Sequence, residues 1–515
     1  MTSNLDRVCV VIARTRHRMM MVEIQEAAKR GAKMLELRLD FLNRAPEMKR
    51  LLENRPCPLV ATIRKPEDGG RWKGTEEQRR MLLRQCIASG FDWVDLETTV
   101  ADEIRRYGST KRIVSYHNQD NVPDNLDEIF EKMQRQDADV LKIAVTAQQP
   151  EDNLRILNLV KDAKKPTVAH CMGDIGFPSR LLGLKFGAPF IYAAFNPERV
   201  IAPGMPSMHD LQTVYPVGTM NADTKVYGVI GDPVAHSLSP LLHNRLFKDY
   251  GINAVYLPFR VPRGGLEPFL NAFDSIPVHG YSVTIPHKEA AAALAKKPDE
   301  TVRQTRAANT LVRLAGEDGF AAANTDYQAV IDSLLVAMGP SEDGNPPTLG
   351  NKMVSLLGAG GVGRAIAHAL KKAGCILTIS NRTTERAHVL AEEVEGRVLE
   401  WMGRHVTGCD ILVNATSVGM YPNLDDTPIH AGYLQPNMIV FDTVYNPEST
   451  VLVKAARQRG CRVVTGLEMF VRQAALQFEM FTGRQPPLED LRDIVREALS
   501  PVTIRDDDEE AEAKE

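Results

Sequence analysis

The sequence reads MVSLL at residues 353–357, continues directly with GAGGVG at residues 358–363, and then shows a helical pattern from Arg364 to Ala373. A GxGxxG motif therefore lies between an apolar strand and a helix, which is the context that a dinucleotide-binding turn requires. The first glycine permits the tight turn, the second lets the backbone approach a pyrophosphate, and the third allows the helix to pack closely on the strand. This stretch predicts a Rossmann-type α/β domain.

The residues that follow the next strand, Ile376–Ser380, indicate which dinucleotide the domain would bind. A cofactor with a free ribose 2′-hydroxyl calls for an acidic residue after this strand, whereas the chain offers Arg382 and, one helical turn later, Arg386. A guanidinium suits a 2′-phosphate, so NADP is favoured over NAD. The cofactor-binding residues expected from this segment are Gly358, Ala359, Gly360, Gly361, Val362, Gly363, Asn381, Arg382, Thr383 and Arg386.

Composition limits the remaining function classes. The 515 residues exceed one ordinary core, so two or more domains are expected. A net charge of -4 gives no indication of nucleic acid or an anionic membrane as a partner, so the expected partners are small-molecule substrates. Seven widely spaced cysteines without a CxxC pair predict reduced thiols in a cytoplasmic protein and no metal site.

The N-terminal part of the chain alternates short apolar runs with longer amphipathic stretches. Such alternation predicts βαβ units and a parallel sheet, and eight units in about 215 residues fit a (β/α)8 barrel. A doubly wound open sheet is the competing arrangement. The eight candidate strands are Val8–Ala13, Met34–Leu39, Pro58–Ile63, Asp92–Leu96, Arg112–Tyr116, Asp139–Ile143, Thr167–His170 and Phe190–Ala194.

Turn-rich segments divide the chain. The polar stretch 216–224 places a boundary near residue 222, and 341–350 is a loop of Gly, Pro, Asn and Ser. The predicted domains are a barrel (1–221), a substrate-binding α/β domain (222–340) completed by C-terminal helices (467–500), and a dinucleotide domain (341–466). The acidic end, 501–515, is expected to be a disordered tail.

Polar residues after residue 226 recur in several apolar settings. Ser237 and Ser239 precede a helix, Lys288 follows a strand at a helix start, and the triplets 308–310 and 324–326 each end a strand-like run. Together with NRTxxRA (381–387), NATSVGM (414–420), DTVYNP (442–447) and GLEM (466–469), this order closely resembles the shikimate dehydrogenase family across 226–495.

That resemblance assigns roles residue by residue. It implies reduction of 3-dehydroshikimate to shikimate, with Lys288 and Asp326 as the catalytic pair and proton donation to the forming alkoxide. Three further cofactor contacts are implied at Thr416, Val444 and Gly466. The implied substrate-binding residues are Ser237, Ser239, Thr284, Asn309, Tyr445 and Gln473. Ala329 stands where the family usually has Gly, and little consequence is expected.

The barrel half also carries charged residues at the ends of its apolar runs, where charge is costly without a task. They are Glu36, Arg38, Arg64, His117, Lys142 and, in the loop after the seventh strand, Arg180. A lysine desolvated beside other cations becomes an amine nucleophile, and a histidine near it can move a proton.

The stretches ELRLD (36–40), TIR (62–64), SYHN (115–118), LKIA (141–144) and SRL (179–181) resemble type I 3-dehydroquinate dehydratase over about 5–215. The fusion of the two halves resembles the bifunctional enzyme of plants. The resemblance implies that Lys142 forms an imine with the substrate and that His117 moves the proton. It also implies that Arg38, Arg64 and Arg180 hold carboxylate and hydroxyl groups while Glu36 orients them.

Two departures leave alternatives open. The family's lid loop usually reads Ser-Ala-Pro-Gly-Gln, whereas Ile201 and Met205 here replace the two polar lid contacts, and Asp68 stands where the family's gate residue is usually Glu. The competing hypotheses are a shikimate or quinate dehydrogenase with a catalytically silent barrel, and the same two domains with quinate in place of shikimate or NAD in place of NADP.

Overall fold

The computed structural model describes residues 4–340, 346–406 and 408–499, and the chain forms two compact units, 1–286 and 287–515. Ser341–Asn345 of the predicted loop and the predicted acidic tail lie outside the described residues. Among the residues described, no helix is long and apolar enough to cross a membrane.

The first unit begins with a nearly closed barrel of eight parallel strands in the order β7-β6-β5-β4-β3-β2-β1-β8. Strand β1 pairs with both β2 and β8, so the predicted barrel is confirmed and the open doubly wound sheet is wrong. The strands are β1 Val8–Ile12, β2 Met34–Arg38, β3 Leu59–Thr62, β4 Trp93–Glu97, β5 Lys111–Asn118, β6 Val140–Thr146, β7 Thr167–Met172 and β8 Ile191–Ala194.

Helices follow most of these strands, while turns join β4 to β5. Thr75 and Ser207 each begin a helix with a capping box, because the side chain accepts from the third backbone N–H and that residue's side chain returns the bond. The barrel helices are α1 His17–Lys29, α2 Met48–Leu52, α3 Glu76–Ala88, α4 Leu126–Arg135, α5 Asp152–Lys161, α6 Phe177–Leu182 and α7 Met208–Thr213.

The first unit continues with a smaller α/β segment. Its central strand β9 pairs in parallel with β10 on one side and β11 on the other. The elements are β9 Lys225–Gly231, α8 Ser239–Asp249, β10 Ala254–Arg260, α9 Leu266–Ala272 and β11 Val278–Val283.

The second unit opens with short elements and a longer, partly buried helix, α12 (Thr325–Met338). Strand β14 pairs with β12 in parallel and with β13 in antiparallel. These elements are α10 Lys288–Leu294, β12 Lys297–Pro298, α11 Glu300–Thr305, β13 Thr310–Arg313, β14 Phe320–Ala323 and α12 Thr325–Met338. The triplet 308–310 was expected to end a strand, and this is wrong, because Asn309 lies just before β13 begins.

A parallel sheet in the order β17-β16-β15-β18-β19-β20 follows, and the order reverses direction between β15 and β18, where α/β sheets bind dinucleotides. Its apolar strands pack against α12, α13 and α14 through Leu334, Ile366 and Leu390. The elements are β15 Met353–Leu357, α13 Gly361–Lys372, β16 Ile376–Ser380, α14 Thr384–Val394, β17 Arg397–Val398, β18 Ile411–Asn414, β19 Ile439–Asp442, α15 Val451–Gln458, β20 Arg462–Val464, α16 Gly466–Thr482 and α17 Leu488–Leu499.

Candidate active sites

A cavity opens at the carboxyl ends of the barrel strands, where this fold carries its chemistry. The cavity is lined by side chains from the strands and by Ile201, Ala202 and Met205 of the lid loop that follows β8. Its polar lining residues are Glu36, Arg38, Arg64, Asp68, His117, Gln119, Lys142 and His170.

Lys142 lies in the middle of β6 and its side chain is almost fully buried. Its Nζ donates to Glu36 Oε2 at 3.2 Å and to Asp95 Oδ2 at 3.1 Å, and it lies 4.0 Å from the centroid of the Tyr192 ring. The sequence predicted cations beside this lysine and gave Glu36 the task of orienting arginines. The structure instead places two carboxylates against the ammonium group, one of them from Glu36.

The guanidinium of Arg64 is held by partners within the barrel. Arg64 Nη2 donates to Asp95 Oδ2 at 2.8 Å and Nη1 to Ser115 Oγ at 2.9 Å. Arg64 Nη1 also lies 3.4 Å from Glu97 Oε1. This network fixes the orientation of Arg64 before any substrate binds.

Arg38 and Arg180 differ in their partners. Arg38 forms a two-point pair with Asp40, at 3.0 and 2.9 Å. Arg180 lies in α6, not in a loop as predicted, and its Nη2 donates to the lid carbonyl of Pro203 at 2.9 Å. Its Nε and Nη1 have no hydrogen-bond partner among the described residues, and burial lowers its pKa to about 10. Arg180 therefore retains unpaired donors close to the lid, although it does not line the cavity.

His117 lies in β5, level with Ala144 of β6. Burial lowers the pKa of His117 well below its usual value, and the cations Arg64 and Lys142 lower it further. Its Nδ1 has no hydrogen-bond partner among the described residues. A neutral imidazole in this position can accept a proton from a substrate.

The second unit brings Lys288 and Asp326 together. Lys288 begins α10, Asp326 lies in the first turn of α12, and Nζ donates to Asp326 Oδ2 at 2.6 Å with both side chains mostly buried. A methyl group at Gly361, in the glycine-rich turn, would lie 3.8 Å from Lys288 Cδ. The ion pair is therefore close to the turn where a dinucleotide would bind.

Three other predicted side chains of the second unit lie near internal partners. Asn309 Oδ1 accepts from Thr325 N at 2.8 Å, next to Asp326 in the chain. Tyr445 stacks on Phe470, with the ring centroids 4.8 Å apart, and Gln473 donates to the Phe470 carbonyl at 3.0 Å. Tyr445 and Gln473 thus share Phe470 as a contact.

In the first unit, Ser237 Oγ accepts a hydrogen bond from Ser239 N at 3.3 Å, and Ser239 is the first residue of α8. Thr284 directly follows β11, and its methyl group would lie 2.6 Å from a Cβ at Gly231, where the segment that carries the serines leaves β9. Thr284 is therefore adjacent to the beginning of this segment.

The glycine-rich turn has the geometry that the sequence predicted. Gly358 has φ +108°, a Cβ at Gly363 would lie 2.1 Å from the Gly358 carbonyl oxygen, and the space beside Gly360 is open. Asn381 Oδ1 accepts from Ala359 N at 3.1 Å, which connects the end of β16 to the turn. Arg382 and Arg386 are exposed and form no ion pair among the described residues, so both can meet a phosphate.

Three further candidate contacts are Thr416 after β18, Val444 after β19 and Gly466 at the start of α16, and Thr416 lies beside Gly358 of this turn. Thr416 Oγ1 donates to Asn414 Oδ1 at 2.6 Å, and Val444 N donates to Asp442 Oδ1 at 3.1 Å. Gly466 lies so close to Val444 that a Cβ there would approach its carbonyl at 2.4 Å. The backbone of Gly466 can make this approach because glycine has no side chain.

Four family models match the chain in sequence order. They are type I 3-dehydroquinase at 8–222, shikimate dehydrogenase substrate binding domain at 229–311, shikimate / quinate 5-dehydrogenase at 343–423 and shikimate 5'-dehydrogenase C-terminal domain at 466–499. The chain is also 38% identical to the chloroplastic bifunctional 3-dehydroquinate dehydratase/shikimate dehydrogenase of Arabidopsis thaliana, over 91% of this chain and 81% of that protein.

The chain belongs to the bifunctional 3-dehydroquinate dehydratase/shikimate dehydrogenase family.

Single-function relatives of this bifunctional family match the C-terminal half. The shikimate dehydrogenase (NADP(+)) of Moorella thermoacetica is 38% identical over 54% of this chain and 95% of its own length. A crystal structure of a shikimate dehydrogenase in complex with NADP+ is 34% identical, covers 54% of this chain and 97% of that chain, and gives a TM-score of 0.50.

Several residues of the barrel site in this family member had no role predicted from the sequence. Asp40, Asp95, Ser115 and Tyr192 each contact a predicted site residue, and His170 lines the cavity. Acidic residues at 95 and 97 alternate with apolar ones in a strand that is otherwise buried, and this alternation was a usable signal. The sequence gave no comparable signal for Tyr192, because an aromatic residue in a strand is usually a core residue.

Proposed function

We propose that this chain catalyses two consecutive reactions. The barrel dehydrates 3-dehydroquinate to 3-dehydroshikimate, and the C-terminal half reduces 3-dehydroshikimate to shikimate with NADPH. The observation that carries the first assignment is the buried Lys142 amine in a cavity that His117 also lines. For the second it is the Lys288–Asp326 pair beside the glycine-rich turn.

The dehydration begins when the Lys142 ammonium group gives up a proton, the free amine adds to the substrate ketone and water leaves, which forms an imine. The imine acidifies the neighbouring carbon, and neutral His117 accepts that proton. The protonated histidine then gives the proton to the departing hydroxyl, which leaves as water, and hydrolysis of the imine returns the amine. Arg180, whose Nε and Nη1 have no partner within the described ranges, is the candidate partner for the substrate carboxylate once the lid moves.

In the reductase half, bound NADPH supplies the hydride. Lys288 donates a proton to the oxygen of the former ketone, and Asp326 holds the ammonium group in position. Ser237, Ser239, Thr284, Asn309, Tyr445 and Gln473 are the proposed substrate contacts. The guanidinium groups of Arg382 and Arg386 are exposed and have no ion-pair partner in the described part of the chain, which fits the 2′-phosphate of NADP. The open space beside Gly360 fits a pyrophosphate.

The dehydratase is tested with 3-dehydroquinate alone, following the ultraviolet absorbance of the conjugated enone product. We expect wild-type protein to form the enone and a borohydride-trapped adduct on Lys142, and Lys142→Ala to form neither. Lys161→Ala, which removes an exposed lysine at the end of α5, is the matched control. A silent barrel, as the apolar Ile201 and Met205 would allow, predicts no enone and no adduct from wild-type protein.

The reductase is tested by NADPH oxidation with added 3-dehydroshikimate. We expect Lys288→Ala to lower kcat by about 100-fold or more, since a positioned proton donor contributes that much. Lys297→Ala, an exposed lysine paired with Glu317, should behave as wild type. Arg382→Ala should lower the preference for NADPH over NADH, and an unchanged preference would contradict the assignment of the 2′-phosphate contact.

Domain bounds and location are also proposed. We assign 1–221 to the dehydratase, 222–340 with 467–500 to substrate binding and 341–466 to NADP binding. All seven cysteines are free, which is usual in a reducing compartment and supports a cytoplasmic location. The Arabidopsis relative is chloroplastic by name, so cell fractionation in the source organism is the test.

A further inference from the structure

A second histidine lies in the dehydratase cavity, and the mechanism above does not use it. His170 is on β7, is 6% exposed, and lines the same cavity as Lys142 and His117. Among the described residues, neither nitrogen of its ring takes part in a hydrogen bond. Neither ring nitrogen is among the fully enclosed atoms without a partner, so both are open to the cavity, where a bound molecule can supply a hydrogen bond.

The strand register places this histidine opposite His117. Ala144 of β6 pairs with His117 of β5 on one side and with His170 of β7 on the other. Adjacent strands are about 4.8 Å apart, so the two histidine backbones are roughly 10 Å apart across a small alanine. Lys142 lies two residues earlier on β6, so a ring bound to its amine would extend between the two imidazoles.

Two residues of the lid loop that line the cavity, Ile201 and Met205, have apolar side chains. Both pack against the apolar cluster that includes Tyr192. The ring of Tyr192 lies 6.4 Å from that of His170. Since Glu36, Arg38 and Arg64 already have internal partners, His170 is an uncommitted hydrogen-bonding group on this side of the cavity.

Burial lowers the pKa of His170 well below its usual value, and Arg180 and Lys142 lower it further. The ring is then neutral, with one nitrogen that donates and one that accepts. A hydroxyl group can also both donate and accept a hydrogen bond, so it can pair with this ring. A carboxylate only accepts, and the guanidinium of Arg180 is a better donor for it.

We propose that His170, on strand β7, binds a ring hydroxyl of the dehydratase substrate. It thereby supplies a polar contact that the apolar lid residues Ile201 and Met205 do not make. This inference rests on the proposed dehydratase function. It makes His170 a substrate-binding residue, a role that the mechanism above does not give it.

The test is steady-state kinetics with 3-dehydroquinate on His170→Leu, His170→Gln and the control Cys171→Ala, whose side chain points to the other face of β7. We expect His170→Leu to raise KM about tenfold with a change in kcat below about threefold, because one ground-state hydrogen bond is lost. His170→Gln, which can still donate and accept, should recover most of that loss, and Cys171→Ala should match wild type.

Three outcomes would overturn the inference. One is a wild-type KM in His170→Leu, another is an equal rise in KM in Cys171→Ala, and the third is the same fall in kcat for the leucine and glutamine variants. Borohydride trapping on Lys142 separates these from failure of the proposed function, because wild-type protein without a trapped adduct overturns both. Met205→Gln, which restores a polar side chain to the lid, is a second test. It should lower KM more in the His170→Leu background than in wild type. An equal decrease in KM in both backgrounds would show that the lid and His170 act independently and would contradict the inference.

Discussion

Asp95, at the centre of the barrel site, accepts hydrogen bonds from three side chains of the described residues. Its carboxylate accepts from Arg64 at 2.8 Å, from Lys142 at 3.1 Å and from Ser115 at 2.5 Å. Burial by itself would raise its pKa, but Arg64 and Lys142 outweigh burial and hold the pKa of Asp95 well below its usual range. Asp95 is therefore shared by two buried cations, and each cation has a further acidic partner, Glu36 for Lys142 and Glu97 for Arg64.

Asp95→Asn should destabilise the barrel by about 3 kcal/mol, because removing one member of a buried charge network leaves the others incompletely paired. Denaturant unfolding measures this, and dehydratase kcat should fall in the same variant. Asp127→Asn removes a carboxylate that is 69% exposed and paired with Arg155, and it should change stability by less than about 1 kcal/mol. Equal effects of the two variants would show that the Asp95 network does not stabilise the barrel.

The depressed pKa of His117 predicts how the dehydratase responds to acid. A free histidine protonates near pH 6.5, whereas buried His117 stays neutral to lower pH. Dehydratase kcat/KM should therefore stay level as pH falls through 6.5 and decline only in more acidic solution. A break at pH 6.5 that disappears in a His117 variant would contradict this.

The lowered pKa of His117 also makes the stability of the folded protein depend on pH. As pH falls below 6.5, the unfolded chain binds a proton at His117 while the folded protein does not. The stability that comes from keeping His117 neutral is complete above that pH and is lost as pH falls toward the folded pKa. His170, whose pKa is also lowered, contributes with the same sign.

At the scale of elements, the turn between β15 and α13 contains glycines that are needed for two different reasons. Gly360 has φ -84° in extended backbone and open space beside it, so alanine fits the folded chain there. Gly363 packs against the Gly358 carbonyl, and a Cβ would lie 2.1 Å from that oxygen. One glycine keeps space for a ligand, and the other keeps the helix against the strand.

Gly360→Ala should keep the melting temperature of wild type but weaken NADPH binding about tenfold or more, because its methyl group would occupy the space proposed for the pyrophosphate. Gly363→Ala should lower stability by about 2 kcal/mol even without cofactor, since the helix must shift. Thermal unfolding and NADPH fluorescence titration measure the two effects. A Gly360→Ala variant that binds NADPH normally would contradict the proposed position of the pyrophosphate.

Sequence patterns located the elements well, with errors at particular positions. All eight barrel strands and the strand–turn–helix at 353–372 are confirmed, because parallel core strands read as continuous apolar runs. Asn309 was assigned to a strand end, although it precedes β13, and Arg180 was assigned to a loop, although it lies in α6. Both positions adjoin short elements, where local patterns are weakest.

At the scale of the whole molecule, each compact unit carries its own reactive pair. Lys142 and His117 belong to the first unit, and Lys288 and Asp326 to the second. All contacts described for each pair lie within one unit. The two chemistries should therefore be separable by single substitutions.

Lys142→Ala should retain reduction of added 3-dehydroshikimate, and Lys288→Ala should retain formation of the enone. An equal mixture of the two variants should convert 3-dehydroquinate and NADPH to shikimate after a lag, because the intermediate must leave one molecule and enter another. Following enone and NADPH absorbance together measures the lag. A mixture that forms no shikimate, although each variant keeps its own activity, would contradict independent sites.

The sequence by itself determined the alternation of strands and helices, the glycine-rich turn and the positions of the candidate lysines, because these are local patterns of periodicity and residue type. The tertiary structure decided the partners of those lysines. Glu36 is separated from Lys142 by 106 residues, and Asp95 by 47, yet both carboxylates accept hydrogen bonds from its amine. Closing the barrel brings side chains of the non-adjacent strands β2, β4 and β6 to one centre, so the pairing of buried charges depends on register and closure, which no local pattern records.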